Sequence, residues 1–493
     1  MANMITNAVN NMFEYMAQKI SAHMQDTRGK DYQVLGRYYE GNHRPQLKIT
    51  QGRQDDNIIQ NWVGLVVDRS ISRLYQGGVK WKLPEGSDEQ QEYLQRVWDL
   101  NKQEIFLYQL GLHGAIYGTP FVKISPDGLV DPYTGKTYPR LIALDPETVR
   151  VRVSKHDMQE VEEYIIEYSY VDDGATVSYR EITKHKDNEQ DSENDVDTWV
   201  VETWEQRGGG AWMMVESYDW LYPFPPIIHW KNLPSLKSAY GDSEIDDAVN
   251  IQDKSNFVAS NTSKIIKFHA HPETIGTGFS VKDMTQIDSA VGTFRAISND
   301  KAQVFNLEMQ SDLSSSRAFG QDLRQSIFDI SREVDLSSLK DNLGALTNFG
   351  LRVLYTDSLN KNDTKRQLYG DAFKELNRRL LVLGGWEMQD SNPGSVVWGD
   401  AMPINVLEEL QADQLALDLQ LVDRETVAKR YQNRYGVDYE NIKENLQNEK
   451  TQANENNDNI GAMILRNFNQ GRNANAEPAT NNATPAGATP RGG

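Results

Sequence analysis

The chain of 493 residues contains no cysteine, which excludes disulfide bonds, thiol nucleophiles and zinc sites built from cysteine. No stretch approaches the roughly 18 consecutive apolar residues of a membrane-spanning helix, so the sequence predicts none. Basic residues are scarce: 51 lysines and arginines stand against 71 aspartates and glutamates, a formal net charge of −20. A chain this acidic is not expected to coat nucleic acid through a broad basic surface, so any contact with DNA must be of another kind.

Motifs that carry enzyme chemistry are also missing. The sequence has no G-x-x-x-x-G-K-[ST] loop for ATP, no H-E-x-x-H zinc motif, no G-x-S-x-G nucleophile elbow and no G-x-G-x-x-G after a predicted strand. Carboxylates are plentiful, but no motif marks a pair of catalytic acids and no (β/α)8 alternation is present. We therefore expect a protein that is not an enzyme and that needs no cofactor.

The apolar fraction is low, whereas aromatic residues are numerous. Hydrophobic residues make up 38% of the chain, yet 10 Trp, 22 Tyr and 14 Phe are too many for a disordered polypeptide. At about 150 residues per domain, the length suggests about three domains or one elaborated architecture. These numbers predict an elongated or multi-part protein that completes its burial against other subunits.

Two kinds of hydrophobic periodicity divide the first half of the chain. Helical spacing predicts helices over residues 5–24, 31–40, 57–75 and 99–117, the first an apolar stripe that we expect to pack on protein rather than on a membrane. From Pro120 to Ser217 the period changes to two, which is typical of strands. Glycine-containing turns separate these strands, at 126–128, 172–174 and 208–210. A mostly antiparallel β region inserted between helices predicts the α+β class.

An acidic segment, residues 187–197, carries part of the spacing of an EF-hand calcium loop. Oxygen ligands fall at suitable places at Asp191, Glu193, Asp195 and Glu202. The glycine of the sharp turn is replaced by valine, and the sequence that follows predicts a strand rather than the exiting helix. We expect a solvated acidic hairpin loop.

His269, His271 and Glu273 would share one face if this segment were a strand, an arrangement that could ligate a metal ion. No further ligand is identifiable nearby. We therefore expect no metal site here.

Long helices with polar sides dominate the second half. The patterns predict a helix over Ser243–Lys267 with Ser243 as its cap, and another over Leu313–Val334. A break at 335–342 precedes a helix over Leu343–Leu383, in which the polar stretch 360–364, with Gly370, is the expected place of any kink. Such helices are expected to need neighbours at their sides.

The carboxyl-terminal region is predicted to begin with two helices. One follows Pro403 and the next is capped by Asp423. Beyond Lys450 the chain becomes rich in Asn, Ala, Thr and Gly, which predicts a mostly disordered tail.

The order of these elements and several local strings resemble the phage portal protein family, of the type common in long-tailed phages of Gram-positive bacteria. The similarity extends over about residues 30–450. The matching strings are Tyr38–His43, Asn61–Arg69, Tyr117–Phe121, Gly241–Ile245 and the helix–loop–helix from Leu313 to Leu383.

This resemblance implies a ring of about twelve subunits at one vertex of the capsid, with the regions of the family's subunit. They would be an amino-terminal wing (1–242), a stem helix (243–267), a clip (268–312), a second stem helix (313–334), a tunnel loop (335–342), a long wing helix and strand (343–402), crown helices (403–450) and the tail (451–493).

The resemblance also implies functional residues. The DNA channel would be lined by the tunnel loop, Asp335, Leu336, Ser337, Ser338, Leu339, Lys340, Asp341 and Asn342. Partner-binding residues of the clip would be His269, His271, Glu273, Ile275 and Phe279.

Implied partners are other copies of the chain, double-stranded DNA passing without sequence specificity, the terminase large subunit, a head-completion or adaptor protein, and the major capsid and scaffold proteins, with no membrane. The protein would reside at the capsid vertex of the virion after assembly in the host cytoplasm. The alternative that stays open is another non-enzymatic component of capsid or tail assembly.

Overall fold

The computed structural model describes residues 28–48, 56–154, 156–157, 159–186, 198–235, 239–270, 273–277, 303–307, 313–339, 348–402 and 406–435, with positions 444 and 447. The chain divides into two compact units, Met1–Met402 and Pro403–Gly493. Helices and antiparallel sheets alternate along the first unit, so the predicted α+β class is confirmed. None of the described helices is both long and apolar enough to cross a membrane.

Among the described residues, four helices precede the main sheets: α1 (Arg28–Tyr39), α2 (Trp62–Leu74), α3 (Asp88–Leu100) and α4 (Gln103–Tyr117). The helix predicted from residue 57 begins five residues later, because the Asn61 side chain accepts the Gly64 N–H and caps it there. The helix predicted from 99 to 117 is two helices, since Lys102 between them has a φ of 54°. Its predicted end is confirmed, because Gly118 adopts a φ of 82°.

Two antiparallel sheets form the described part of the β region. The larger has the order β4 (Val149–Val153), β5 (Val161–Asp172), β6 (Ala175–His185), β7 (Trp199–Arg207) and β8 (Met213–Trp220). The smaller has the order β3 (Thr137–Leu144), β2 (Phe121–Val130) and β9 (Ile227–His229). The turn predicted at 126–128 is wrong, because these residues lie inside β2 where its register with β3 shifts between Ser125 and Leu129. The turn at 172–174 is confirmed.

In the second half of the first unit, the described residues form mainly helices and two short pairs of strands. Their bounds are α5 (Val249–Ala270), β10 (Glu273–Thr277), β11 (Gln303–Leu307), α6 (Leu313–Ile330), α7 (Asn348–Leu354), α8 (Thr356–Leu383) and β12 (Ser395–Trp398), which pairs with β1 (Val79–Lys82). The core lies around α8, whose Tyr369, Phe373, Leu376 and Leu380 are fully buried. Phe373 packs edge-on against Trp81 and Trp98, with ring centroids 5.6 and 6.4 Å away.

The predicted kink at 360–364 is wrong. The break lies at Tyr355, which separates α7 from α8 with φ −87° and ψ 3°. The polar stretch continues the helix, and its Lys361 and Asn362 are buried. Its polarity therefore reflects partners inside the protein rather than a weak point of the helix.

The second unit contains α9 (Val406–Asp418) and α10 (Arg424–Tyr435). Asp423 caps α10 as predicted, since its carboxylate accepts the Thr426 N–H at 3.3 Å. An ion pair of 2.5 Å between Arg430 and Asp413 joins the two helices. The helix predicted over 5–24 and the tail 451–493 lie outside the described residues.

Candidate functional site

The two predicted stem helices, α5 and α6, pack against each other but begin and end differently from the prediction. Ser243 does not cap α5: its hydroxyl donates to the Ile116 carbonyl at 2.7 Å, and the helix begins only at Val249. The second helix ends at Ile330, where Arg332 turns the chain with a φ of 54°. Both differences arise because the ends of the stem are bonded to other elements of the first unit.

A polar stripe on α5 consists of Gln252, Asn256 and Ser260, all buried. Their side chains accept hydrogen bonds of 2.9–3.0 Å from the backbone N–H groups of Trp62, Gln60 and Ile58, in that order. The segment that precedes α2 thereby lies extended along α5. Part of the polar surface expected to face neighbours or water is thus used within the chain.

The chain that leaves α6 is held by three successive residues, 333–335. Glu333 accepts a hydrogen bond from Arg73 at 2.6 Å, and the Val334 carbonyl accepts one from Arg69 at 2.9 Å. Asp335 accepts from Arg324 at 2.8 Å, and its carboxylate also receives the Ser337 N–H at 3.0 Å and hydroxyl at 2.8 Å. The Arg324 guanidinium stacks 4.1 Å from the centroid of Trp62. We call residues 333–335 the anchor segment.

A buried charge cluster adjoins the anchor segment and shares Glu333 with it. The cluster consists of Arg73, Glu244, Glu333, Lys361 and Lys365. Glu244 accepts from Lys361 at 2.9 Å and from Lys365 at 2.5 Å. Lys361 also contacts the Glu333 carboxylate at 3.0 Å, and Glu333 in turn pairs with Arg73. The side chains of Glu244 and Lys365 are 1% and 0% exposed, so water does not screen this pair.

The charges in this cluster shift one another's pKa values. Burial raises the pKa of Glu244, but Lys361 and Lys365 outweigh burial and hold it well below its usual value. Burial lowers the pKa of Lys361, but Glu244 and Glu333 outweigh it, and the net shift is upward. Burial lowers the pKa of Lys365, and its repulsion from Lys361 adds to that effect. The cluster holds three basic groups and two carboxylates and joins α2, α8, the segment just before α5 and the anchor segment.

Part of the predicted tunnel loop is described. Asp335 stays beside the end of α6, and Leu336–Leu339 form one 3-10 turn that begins at its carboxylate. Lys340, Asp341 and Asn342 lie outside the described residues. Asp335 thus shapes the start of the loop.

Replacing Asp335 with alanine is expected to destabilise the protein by about 1–3 kcal/mol, because it removes the acceptor of three hydrogen bonds, one of them from a charged donor. Urea denaturation measures this loss. The matched control is Ser337→Ala, which removes one donor and should cost less. Equal losses in the two variants would contradict an anchoring role for the Asp335 carboxylate.

The predicted clip contains an antiparallel pair, β10 with β11, in which Glu273 lies opposite Leu307 and Ile275 opposite Phe305. His269 belongs to α5 and Glu273 begins β10, so the shared strand face proposed for a metal ion is not formed. His271 and Phe279 lie outside the described residues. Among those that are described, no group of side chains is arranged to hold a metal ion.

Residues 187–197, the acidic segment, also lie outside the described part of the chain. The predicted strand after it is confirmed as β7, where an EF-hand would have its exiting helix. Glu202 forms an ion pair of 2.7 Å with Lys184 on β6. The carboxylate that would complete the calcium loop is therefore bound to a lysine.

The sequence did not identify the buried charge cluster, and two signals could have done so. Lys361 and Lys365 are four residues apart, which places them on one face of a helix. Glu244 lies in one of the strings shared with the portal family. Neither signal specifies which lysine meets which carboxylate.

Comparison with known families supports the resemblance seen in the sequence. The model of the family described as phage portal protein, SPP1 Gp6-like, matches residues 18–456, most of the chain. A search among individually curated proteins gives no match. Because the family model matches far more than half of the chain, this protein belongs to the SPP1 Gp6-like phage portal protein family.

Proposed function

We propose that this portal protein forms a ring of about twelve copies at one vertex of the capsid, and that the genome is packaged and ejected through the channel of that ring. The family membership carries this proposal. It is supported by apolar side chains on the stem helices that stay exposed in the single chain. Phe257 and Ile266 on α5 are 40% and 51% exposed, and Phe319 and Ile330 on α6 are 52% and 47% exposed. A ring would cover such residues with the neighbouring subunits.

In this proposal α5 and α6 are the stem, residues 268–312 the clip, 335–342 the tunnel loop, 343–402 the long wing helix and strand, and 403–450 the crown. Residues 1–242 form the wing. The clip, with His269, His271, Glu273, Ile275 and Phe279, would dock the terminase large subunit and a head-completion protein. The major capsid and scaffold proteins would be further partners.

The charge of the chain suits a channel through which DNA slides. Twelve chains of −20 carry a net charge on the order of −240, which repels phosphate and limits adhesion. Lys340 lies beside Asp341, so its field would be largely cancelled while it touches the DNA backbone. The anchor segment fixes the start of the loop to the end of α6. The loop would thus be held at its base and be free to contact DNA at its tip.

The variant Lys340→Glu is expected to assemble into rings with a central hole in negative-stain microscopy and to package DNA more slowly or to a shorter length. The added carboxylate would repel passing phosphates at the narrowest point. The matched control is Lys136→Glu, the same charge change at an exposed lysine in the β region. Normal packaging by verified Lys340→Glu rings would refute the tunnel-loop role. Wild-type protein that never forms rings would instead favour another capsid or tail assembly component.

A further inference from the structure

One face of the five-stranded sheet is covered in one part and open in the rest. In the covered part, Tyr164 and Ile166 of β5 pack into a small core with Phe121 and Ile227. Side chains of a strand alternate between faces, so residues 168 and 170 lie on the same face as 164 and 166. Tyr168 and Tyr170 are 44% and 39% exposed. The face therefore changes from core to surface along the same strand.

The exposed part of this face carries tyrosines from three strands. Cross-strand pairing places Tyr168 opposite Tyr179. Tyr218 on β8 lies on the same face in the row of Tyr164, three strands away from it. The rings of Tyr168 and Tyr179 stack with centroids 4.9 Å apart, and that of Tyr170 lies 6.3 Å from Tyr168. Tyr218 is 41% exposed. We call Tyr168, Tyr170, Tyr179 and Tyr218, with Glu205 and Glu216, the tyrosine patch.

Carboxylates sit among these rings. Tyr170 donates its hydroxyl to Glu205 at 3.3 Å, and Tyr179 donates to Glu181 at 3.0 Å. Burial raises the pKa of Tyr218, and Glu181 and Glu216 add to the effect. The patch thus combines aromatic faces with negative charge.

The cations near the patch already have partners. Lys123 pairs with Glu181 at 2.5 Å, and Arg207 pairs with Asp172 at 2.9 Å. No ion pair is formed by Glu205 or Glu216 with another described residue. An incoming cation would therefore meet two available carboxylates beside exposed rings.

The negative charge and the aromatic rings of the patch favour one class of ligand over others. Phosphates of a nucleic acid would be repelled by Glu205 and Glu216, and the acidic segment 187–197 of the chain itself carries the same sign of charge. Arginine and lysine side chains bind over tyrosine rings and pair with carboxylates. We propose that the tyrosine patch is a docking surface for a polypeptide segment rich in arginine or lysine from a partner protein.

The probe that tests this proposal is a fluorescent peptide of five Arg-Ser repeats, and its matched control is a peptide of five Gln-Ser repeats. Each is titrated against the full chain at about 0.15 M salt, because exposed charges more than about 8 Å apart are screened there. Fluorescence anisotropy gives the Kd. We expect the arginine peptide to bind more tightly than the glutamine peptide. The double variant Tyr168→Ser, Tyr218→Ser should weaken its binding about tenfold, while Tyr168→Phe, Tyr218→Phe keeps the rings and most of the affinity.

A charge control separates the patch from the acidity of the whole chain. Glu205→Gln with Glu216→Gln should weaken binding, whereas Glu85→Gln with Glu92→Gln removes two exposed carboxylates elsewhere and should not. Equal Kd values for both pairs, or no preference for arginine over glutamine, would overturn the proposal. So would loss of self-association in the serine double variant without any effect on peptide binding, since the patch would then join two copies of the chain. Circular dichroism confirms that each variant is folded.

Discussion

Replacing Glu244 with alanine is expected to destabilise the protein by about 3–5 kcal/mol, the cost of removing one partner from a buried ion pair. Glu244 is the carboxylate shared by Lys361 and Lys365, and the side chains of both lysines are at most 4% exposed. Without it, Lys365 keeps a hydrogen bond to the Ser70 hydroxyl at 3.1 Å but loses its ion pair. A buried ammonium group cannot be solvated there. Urea denaturation followed by circular dichroism measures the free energy of unfolding.

A double-mutant cycle is the control for this prediction. Replacing both partners, as in Glu244→Leu with Lys365→Met, removes the unpaired charge and should recover a large part of the loss. If the double variant is as unstable as Glu244→Ala, the loss comes from packing rather than from charge. Additive effects of the two single changes would likewise contradict the coupling of Glu244 with Lys365.

The same cluster makes the stability of the protein depend on pH in the acidic range. Because the pKa of Glu244 is lowered in the fold from an ordinary value of 4.5, its stabilising effect is fully present above about that pH. The effect is lost progressively as the pH falls below it towards the lowered pKa, where the carboxylate takes up a proton. Glu244→Gln should be less stable than the wild type at pH 7 and should show a weaker loss of stability on acidification.

Replacing Gly118 with alanine is expected to cost about 2–5 kcal/mol. Its φ of 82° disfavours a side chain by about 1–2 kcal/mol. A Cβ would also overlap the carbonyl oxygen of Gly241 and lie 2.8 Å from that residue's carbonyl carbon. Backbone atoms cannot move aside as a flexible side chain can, so overpacking adds about 1–3 kcal/mol. The free energy of unfolding from urea denaturation checks the sum.

Gly174 provides the matched control, because it has a φ of 78° and nothing within 4 Å of an added Cβ. Gly174→Ala should therefore show the backbone cost alone. A difference between the two variants measures the close approach of the chain at Gly118 to that at Gly241. Equal losses would mean that this approach relaxes at little cost.

The sequence predicted the type of most elements because their periodicity is local. The antiparallel β region, the end of α4 at Gly118 and the Asp423 cap all follow from neighbouring residues. The predicted helix boundaries were wrong where residues distant in sequence form the deciding contacts. The start of α5 moved from Ser243 to Val249 because the Ser243 hydroxyl bonds to the end of α4. The polar stretch 360–364 was misread as a kink because its partner Glu244 is more than a hundred residues away.

The strings that carried the family resemblance meet in space. Gly241 donates its N–H to the Thr119 hydroxyl at 2.9 Å, which joins two of them. A third string contributes Trp62 and Arg69, which contact Arg324 and the anchor segment. The strings are therefore specific to the family because their residues contact one another in the fold. No single string predicts these contacts. The tunnel-loop and clip residues remain predictions.

The polar stripe of α5 can bind the extended segment before α2 because the repeat distances of the helix and of the extended chain are nearly equal. Two residues of extended chain advance about 6.6 Å, and four residues of α-helix advance about 6.0 Å. Ile58, Gln60 and Trp62 can therefore each donate a backbone N–H to the next residue of the series Ser260, Asn256 and Gln252. In hydrogen–deuterium exchange, these three amide protons would be protected although Ile58 and Gln60 belong to no helix or strand and Trp62 is only the first residue of α2. Their protection would last as long as α5 stays folded, so the segment before α2 and the first stem helix would open as one cooperative unit.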